Sequence, residues 1–128
     1  RDLVLKKEFK MSPGEQKRDF THVDDVVEAY LRVAHCPEAR GELLNAGSGV
    51  AHTIKDVMEI MRRLIGGNAR FEVGALPYRK GEGKEIVCDN RRIRELTGWS
   101  PNVSLEEGLR LTVAWYKTRY ASGAYYNE

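Results

Sequence analysis

Residues 43–54, LLNAGSGVAHTI, run from an apolar stretch through two glycines into helical spacing. That order is how a chain presents backbone N–H groups to a phosphate, so anion or dinucleotide binding is the first chemistry to test. A dinucleotide fingerprint needs three glycines, G-x-G-x-x-G, directly between strand and helix. Here Gly47 and Gly49 are followed by His52 where the third glycine belongs. An imidazole blocks the close helix–strand approach that the third glycine permits. The acidic ribose partner, expected about 20 residues on, would be Glu72, inside a strand-like run, and the glycine-lysine-serine end of a P-loop is missing. The glycines are expected to turn the backbone and not to hold a cofactor.

The other reactive side chains are scattered. His22, His35 and His52 fall in different elements, and none neighbours a serine or cysteine in a nucleophile-elbow sequence. His22 reads as a packed, hydrogen-bonded histidine in a strand. Asp24 and Asp25 have the types for paired carboxylates, but Asp24 is explained by capping a helix. Cys36 and Cys88 are too few for a disulfide framework and lack metal-ligand spacing. No catalytic residue and no metal ligand is assigned.

These residues sit on elements that alternate in period. A short strand is expected over Leu3–Phe9, then a turn at Ser12-Pro13-Gly14, then a strand over Phe20–Val23. From Asp24, the N-cap by pattern, Val26, Val27, Tyr30, Leu31 and Ala34 recur at helical spacing until Cys36-Pro37 and Gly41. Glu42–Ala46 reads as the second strand. Thr53 caps a second helix, with Asp56 three residues on and an apolar stripe of Ile54, Val57, Met58, Met61, Leu64 and Ile65, stopped by Gly66-Gly67. Phe71–Leu76 alternates as a third strand, and PYRKGEGKE (77–85) is a loop. After the short apolar run Ile86-Val87-Cys88, Asp89 is placed to cap a helix carrying Ile93 and Leu96 and ending at Gly98. Ser104 and Glu107 form a capping box for a last helix with Leu105, Leu109, Thr112, Val113 and Tyr116 on one face. The sum is an α/β chain, a small sheet with packed helices.

Composition narrows the classes further. The 128 residues are 41% hydrophobic and 31% charged, which suits one globular domain and is too apolar for disorder. A net charge of +2 gives no global pull toward nucleic acid or an acidic membrane, so an anionic ligand must be met by a few placed basic residues. No apolar run is long enough to span a membrane, and two free-thiol candidates fit a reducing cytoplasm. The first residue is arginine, which raises the expectation of a piece of a longer protein.

Three stretches in order, RDFTHVDDVVEAY, LLNAGSG and ALPYRKGEGKEIVCDNRRIRELTGWSPNVSLEEGL, resemble the carboxyl-terminal part of the NAD-dependent sugar epimerase/dehydratase family. These are extended short-chain dehydrogenase/reductases that act on nucleotide sugars. The resemblance covers roughly residues 15–118 of a single 1–128 domain, with 119–128 expected to fray. It implies that Arg18 and Arg79 contact the diphosphate of the sugar nucleotide and that Glu82 accepts from the nucleotide ribose. Lys80 stands where the family's R-P-G-[DE] loop carries proline. Charge-assisted, bidentate arginine–phosphate bonds suit those roles; the bland alternative pairs Arg18 with Asp19 or Asp24 and leaves Arg79 and Glu82 solvated. The family's glycine-rich NAD loop and Tyr-x-x-x-Lys pair do not occur here, and no tyrosine has a lysine four residues on.

The resemblance thus implies the nucleotide-sugar-binding portion without the Rossmann half, catalytically inactive alone. NAD or NADP is expected only in a full-length enzyme, with the missing amino-terminal dinucleotide-binding part as partner. The substrate would be a UDP-, dTDP-, CDP- or GDP-sugar. Two rivals stay open: a stand-alone nucleotide-sugar-binding module, and a regulatory or interaction domain that has lost the ligand.

Overall fold

Very short strands alternate with amphipathic helices in the computed structural model, which describes residues 9–66 and 70–121. The α/β class read from the sequence is the one observed. The chain is organised in two compact units. One draws on residues up to Glu15, Thr53–Glu82 and the stretch from Glu106; the other on Gln16–His52 and Gly83–Leu105.

In the first unit, β1 (Phe9–Met11) and β4 (Phe71–Val73) pair in parallel, with Phe9 opposite Phe71 and Met11 opposite Val73. The two phenylalanine rings meet edge to face at 6.4 Å, the geometry favoured by the aromatic quadrupole. α2 (Ile54–Ile65) begins where Thr53 Oγ1 accepts from the Asp56 N–H at 3.0 Å and stops at Gly66, whose φ of 67° suits glycine. Its apolar stripe is the inward face, with Val57 buried. α4 (Leu105–Ala121) buries Val113, and its Lys117 Nζ donates to the Ile65 carbonyl at 3.0 Å, a cation at the negative end of α2. Gly14 has a packing reason as well: a Cβ there would lie 2.8 Å from Met11 Cε.

The second unit carries β2 (Lys17–Asp19) and β5 (Glu85–Ile86), paired in parallel with Lys17 opposite Glu85, and the strand order is β3-β2-β5, β3 being Ala51–Thr53. α1 (Val23–Ala34) is followed by a 3₁₀ turn at Pro37–Ala39, and α3 (Arg91–Thr97) ends at Gly98 in the left-handed region. Ala29, Ile93 and Trp99 form the core, with Val33 and Leu44 packed against it. No helix among the described residues is long and apolar enough to cross a membrane.

Several sequence expectations are corrected. Residues 42–46 form no strand: among the described residues no ladder reaches them, and an apolar run becomes a strand only where a neighbour supplies hydrogen bonds. The strand placed at Phe20–Val23 lies at Lys17–Asp19 instead. His22, not Asp24, caps α1, its Nδ1 accepting from the Asp24 N–H at 3.3 Å. The expected apolar face of α1 is largely on the outside, and the buried residues are Asp25 and Ala29. The strand from Phe71 ends at Val73, because Gly74 turns the chain at φ 82°. α3 follows Asn90 and not Asp89; Asp89 still accepts from the Arg91 N–H, and the Arg91 guanidinium draws its pKa down to about 2. Most of the strand expected over Leu3–Phe9, Gly67 and the tail from 122 lie outside the described residues.

Candidate functional site

Arg18 and Asp19 are consecutive on β2, so their side chains leave opposite faces of the strand. That alternation gives them separate tasks. The Arg18 guanidinium donates to the carbonyls of Lys17 at 2.7 Å and Gly83 at 3.0 Å, which holds it over the start of the 83–86 segment.

Asp19 faces the glycine segment. One carboxylate oxygen accepts from the Ser48 N–H at 3.0 Å and from Ser48 Oγ; the other accepts from the N–H groups of Gly49 at 2.8 Å and Cys88 at 3.1 Å. The amides of Ser48 and Gly49, which a phosphate would need, are thus directed at an anion supplied by the chain itself. Burial opposes ionisation of Asp19, but the hydrogen bonds from Ser48, Gly49 and Cys88 outweigh it and hold the carboxyl below its usual range. Burial, then the charges of Asp19 and Asp89, push the neighbouring Cys88 thiol up, toward the unreactive protonated form.

The glycines fit this clasp. A Cβ at Gly47 would lie 2.7 Å from Cys88 Sγ, so the backbone of 47 and the side chain of 88 share one space. Gly49 takes a φ of 76°. Beneath them the buried Asn90 donates from Nδ2 to the Gly47 carbonyl at 2.8 Å. The expectation that this stretch turns the chain therefore has its cause in Asp19, which the sequence pattern offers only as a partner for Arg18. A signal for it exists in the sequence: an aspartate within a short strand is disfavoured unless something receives it.

Arg79 and Glu82, in the other unit, bound a tight turn. The Glu82 N–H donates to the Arg79 carbonyl at 3.0 Å, Glu82 Oε2 accepts from the Arg79 N–H at 3.4 Å, and Gly81 has a φ of 79°. A positive φ at the third position of a four-residue turn is the type II signature, which also favours proline at the second. Lys80 occupies that second position. Lys80→Pro is expected to stabilise the turn by about 0.5 kcal/mol, by removing freedom from the unfolded chain; a urea midpoint that falls instead would show that Lys80 needs its N–H. Among the described residues no acidic side chain forms an ion pair with the Arg79 guanidinium, whereas Arg32, Arg62, Arg63, Arg91, Arg92 and Arg110 each have one.

The three histidines are not brought together. His22 caps α1, His35 Nδ1 lies 2.7 Å from the Leu31 carbonyl, and His52 lines a cavity of about 460 Å³ with Phe20, Ser48 and Asn90. Among the described residues no group of three histidine, cysteine or acidic side chains is placed to hold a metal ion.

Residues 2–112 match the family model described as GDP-mannose 4,6 dehydratase. The chain is 36% identical over 105 residues to a UDP-glucuronate 4-epimerase of Thermodesulfobacterium geofontis, covering 81% of this chain and 31% of that protein. It is 35% identical over 106 residues to a UDP-glucose 4-epimerase of Mycolicibacterium smegmatis, covering 83% and 33%. Among solved structures, the UDP-glucose 4-epimerase of Thermotoga maritima with UDP-glucose superposes with a TM-score of 0.81 at 30% identity, over 93% of this chain and 38% of the other. The chain spans about a third of the length of the relatives it matches. By the extent of these matches, the chain belongs to the GDP-mannose 4,6-dehydratase family of NAD-dependent nucleotide-sugar epimerases and dehydratases.

Proposed function

We propose that this chain is the substrate-binding portion of a nucleotide-sugar epimerase or dehydratase and holds the nucleoside diphosphate of the sugar nucleotide. Arg18 and Arg79 contact the diphosphate, and Glu82 accepts from the ribose. The observation that carries this reading is the 79–82 turn, which fixes the backbone of Arg79 and Glu82 while the Arg79 guanidinium has no ion pair among the described residues. A guanidinium held ready in that way matches a diphosphate better than a lysine would. The names of the relatives make UDP-sugars the first ligands to test.

On this reading the chain alone turns over no substrate. NAD or NADP, which would take and return a hydride in the complete enzyme, is assigned to no residue here. The free thiols of Cys36 and Cys88 are compatible with work in a reducing cytoplasm.

Three charge-assisted contacts, set against the entropy of association, place the affinity of the isolated chain at about millimolar. Amide NMR during titration with UDP-glucose and UDP-glucuronate should shift Arg18, Gly81 and Glu82, and Arg79→Ala should weaken binding by more than about tenfold. Silence at those three amides in millimolar ligand would sink the proposal.

A further inference from the structure

The cavity that His52 lines includes none of the proposed nucleotide contacts. Its volume of about 460 Å³ is within the range of small-molecule sites, and every residue in its wall belongs to the unit built from Gln16–His52 and Gly83–Leu105. Three stretches far apart in sequence meet there: His52 on β3, Asn90 and Arg94 at and within α3, and residues 100–105. Phe20, Val50 and Val103 add apolar surface.

The polar groups of this wall are unequal in a way that points to a ligand. No aspartate or glutamate lines the cavity, in a chain that carries 19 of them. Arg91 and Arg92 pair with Asp89 and Glu42, whereas Arg94 on the same helix has no ion pair among the described residues. Asn90 is only 8% exposed, and its Nδ2 is committed to the Gly47 carbonyl. Its Oδ1 accepts no hydrogen bond among the described residues. A buried acceptor left open on a cavity wall is costly unless an occupant brings the donor. The His52 ring and the Ser100 hydroxyl also have no hydrogen-bond partner among the described residues. Ser48 differs, being already engaged by Asp19.

We infer that this cavity is a second ligand site, and that it takes a small hydroxy-carboxylate. The carboxylate matches the Arg94 guanidinium, whose planar fork takes both oxygens at once. Hydroxyl groups on the same molecule donate to Asn90 Oδ1 and exchange hydrogen bonds with His52 and Ser100. Its C–H groups lie against Phe20 and Val50. Neither half of the ligand is enough: a plain carboxylate leaves Asn90 without a donor, and a neutral polyol leaves the guanidinium without an anion. A phosphate monoester fits less well, because its charge of about −2 would meet a single guanidinium. The site goes beyond the nucleotide-binding reading and shares no residue with it, so a failed UDP-sugar titration leaves it standing.

Amide NMR of the 128-residue chain at constant ionic strength tests it with matched probes: D-glycerate, propionate, which keeps the carboxylate, and glycerol, which keeps the hydroxyls. Glycerate should give saturable shifts at the amides of His52, Asn90 and Ser100, with a Kd of about millimolar. Propionate and glycerol should each bind at least about tenfold more weakly. Arg94 is exposed and unpaired among the described residues, so Arg94→Gln should leave the circular dichroism of the chain unchanged while weakening glycerate by more than about tenfold. Absence of saturable shifts at about 10 mM glycerate overturns the inference. So does propionate binding as tightly as glycerate, which would make the cavity a general anion site, or a glycerate response centred on Gly81 and Glu82. Unchanged affinity in Arg94→Gln overturns it as well.

Discussion

Trp99→Ala should destabilise the chain by about 3–5 kcal/mol, a large fraction of the stability of a chain this size. Trp99 has no exposed surface and is the largest fully buried side chain among the described residues, packed with Ala29 and Ile93. Its indole Nε1 also donates to the Asp25 carbonyl at 3.0 Å. Removing the ring leaves a cavity and takes one donor away from the Asp25 carbonyl, and both losses fall at the same place. The cost is felt between α1 and residues 99–103, because the Asp25 carboxylate accepts from the N–H groups of Asn102 at 2.9 Å and Val103 at 3.1 Å. Trp99→Phe separates the terms: most of the volume returns while the donor stays absent, so about 1–2 kcal/mol should persist. Urea unfolding at neutral pH measures both. An alanine variant within about 1 kcal/mol of the parent would mean that the Ala29–Ile93–Trp99 core does not govern stability.

Asp19→Asn should cost about 2–4 kcal/mol at neutral pH although it changes almost no volume. Each carboxylate oxygen of Asp19 accepts from two donors. An asparagine amide has one oxygen, so its NH2 faces the N–H groups of Gly49 and Cys88 in one orientation and the Ser48 N–H in the other, and leaves them unsatisfied. The pH dependence identifies the cause. The carboxyl is held below its ordinary value of 3.8, so its contribution is fully present above that value. It is lost as pH falls below 3.8 toward the lower folded-state pKa. The gap in urea midpoint between parent and Asp19→Asn should therefore be constant from about pH 5 to 8 and close progressively below about pH 4. A gap that does not narrow at all as pH falls below about 4 would point to shape and not charge as the origin of the effect.

What the sequence reveals about the fold divides by distance along the chain. α2 is legible because its cap, stripe and stop are local: Thr53 bonds Asp56, the apolar residues recur every three or four positions, and Gly66 ends the run. The extent of α1 is legible to within two residues, but its face is not, since what decides it is a bond from Asp25 to residues 77 and 78 positions away. An aspartate on the inward side looks like solvent exposure until the amides that receive it are known. Residues 42–46 have the composition of a strand, which fixes extended, alternating side chains but does not supply a neighbour. In the glycine segment, the missing third glycine correctly points to a turn. The reason for it lies 29 residues earlier at Asp19 and 40 residues later at Cys88, and no local pattern joins the three. The proposed ligand contacts come from family resemblance. Taken alone, Arg18, Arg79 and Glu82 are ordinary charges, and only the geometry of the 79–82 turn adds a physical reason to single two of them out.

The order in which the two units draw on the chain has a kinetic consequence. The polypeptide enters one unit, passes to the other, returns, crosses again after Glu82 and comes back at the start of α4. The parallel ladder from β2 to β5 closes across 68 residues, as the Lys17–Glu85 pair shows. During synthesis neither unit can be completed from a contiguous nascent segment, because each awaits residues made after the other has begun. Closing such long loops precedes the contacts that reward them, and chains of this kind fold slowly. Folding of the second unit is therefore expected to wait until Gly83–Leu105 has been made, with the whole of Thr53–Glu82 synthesised in between.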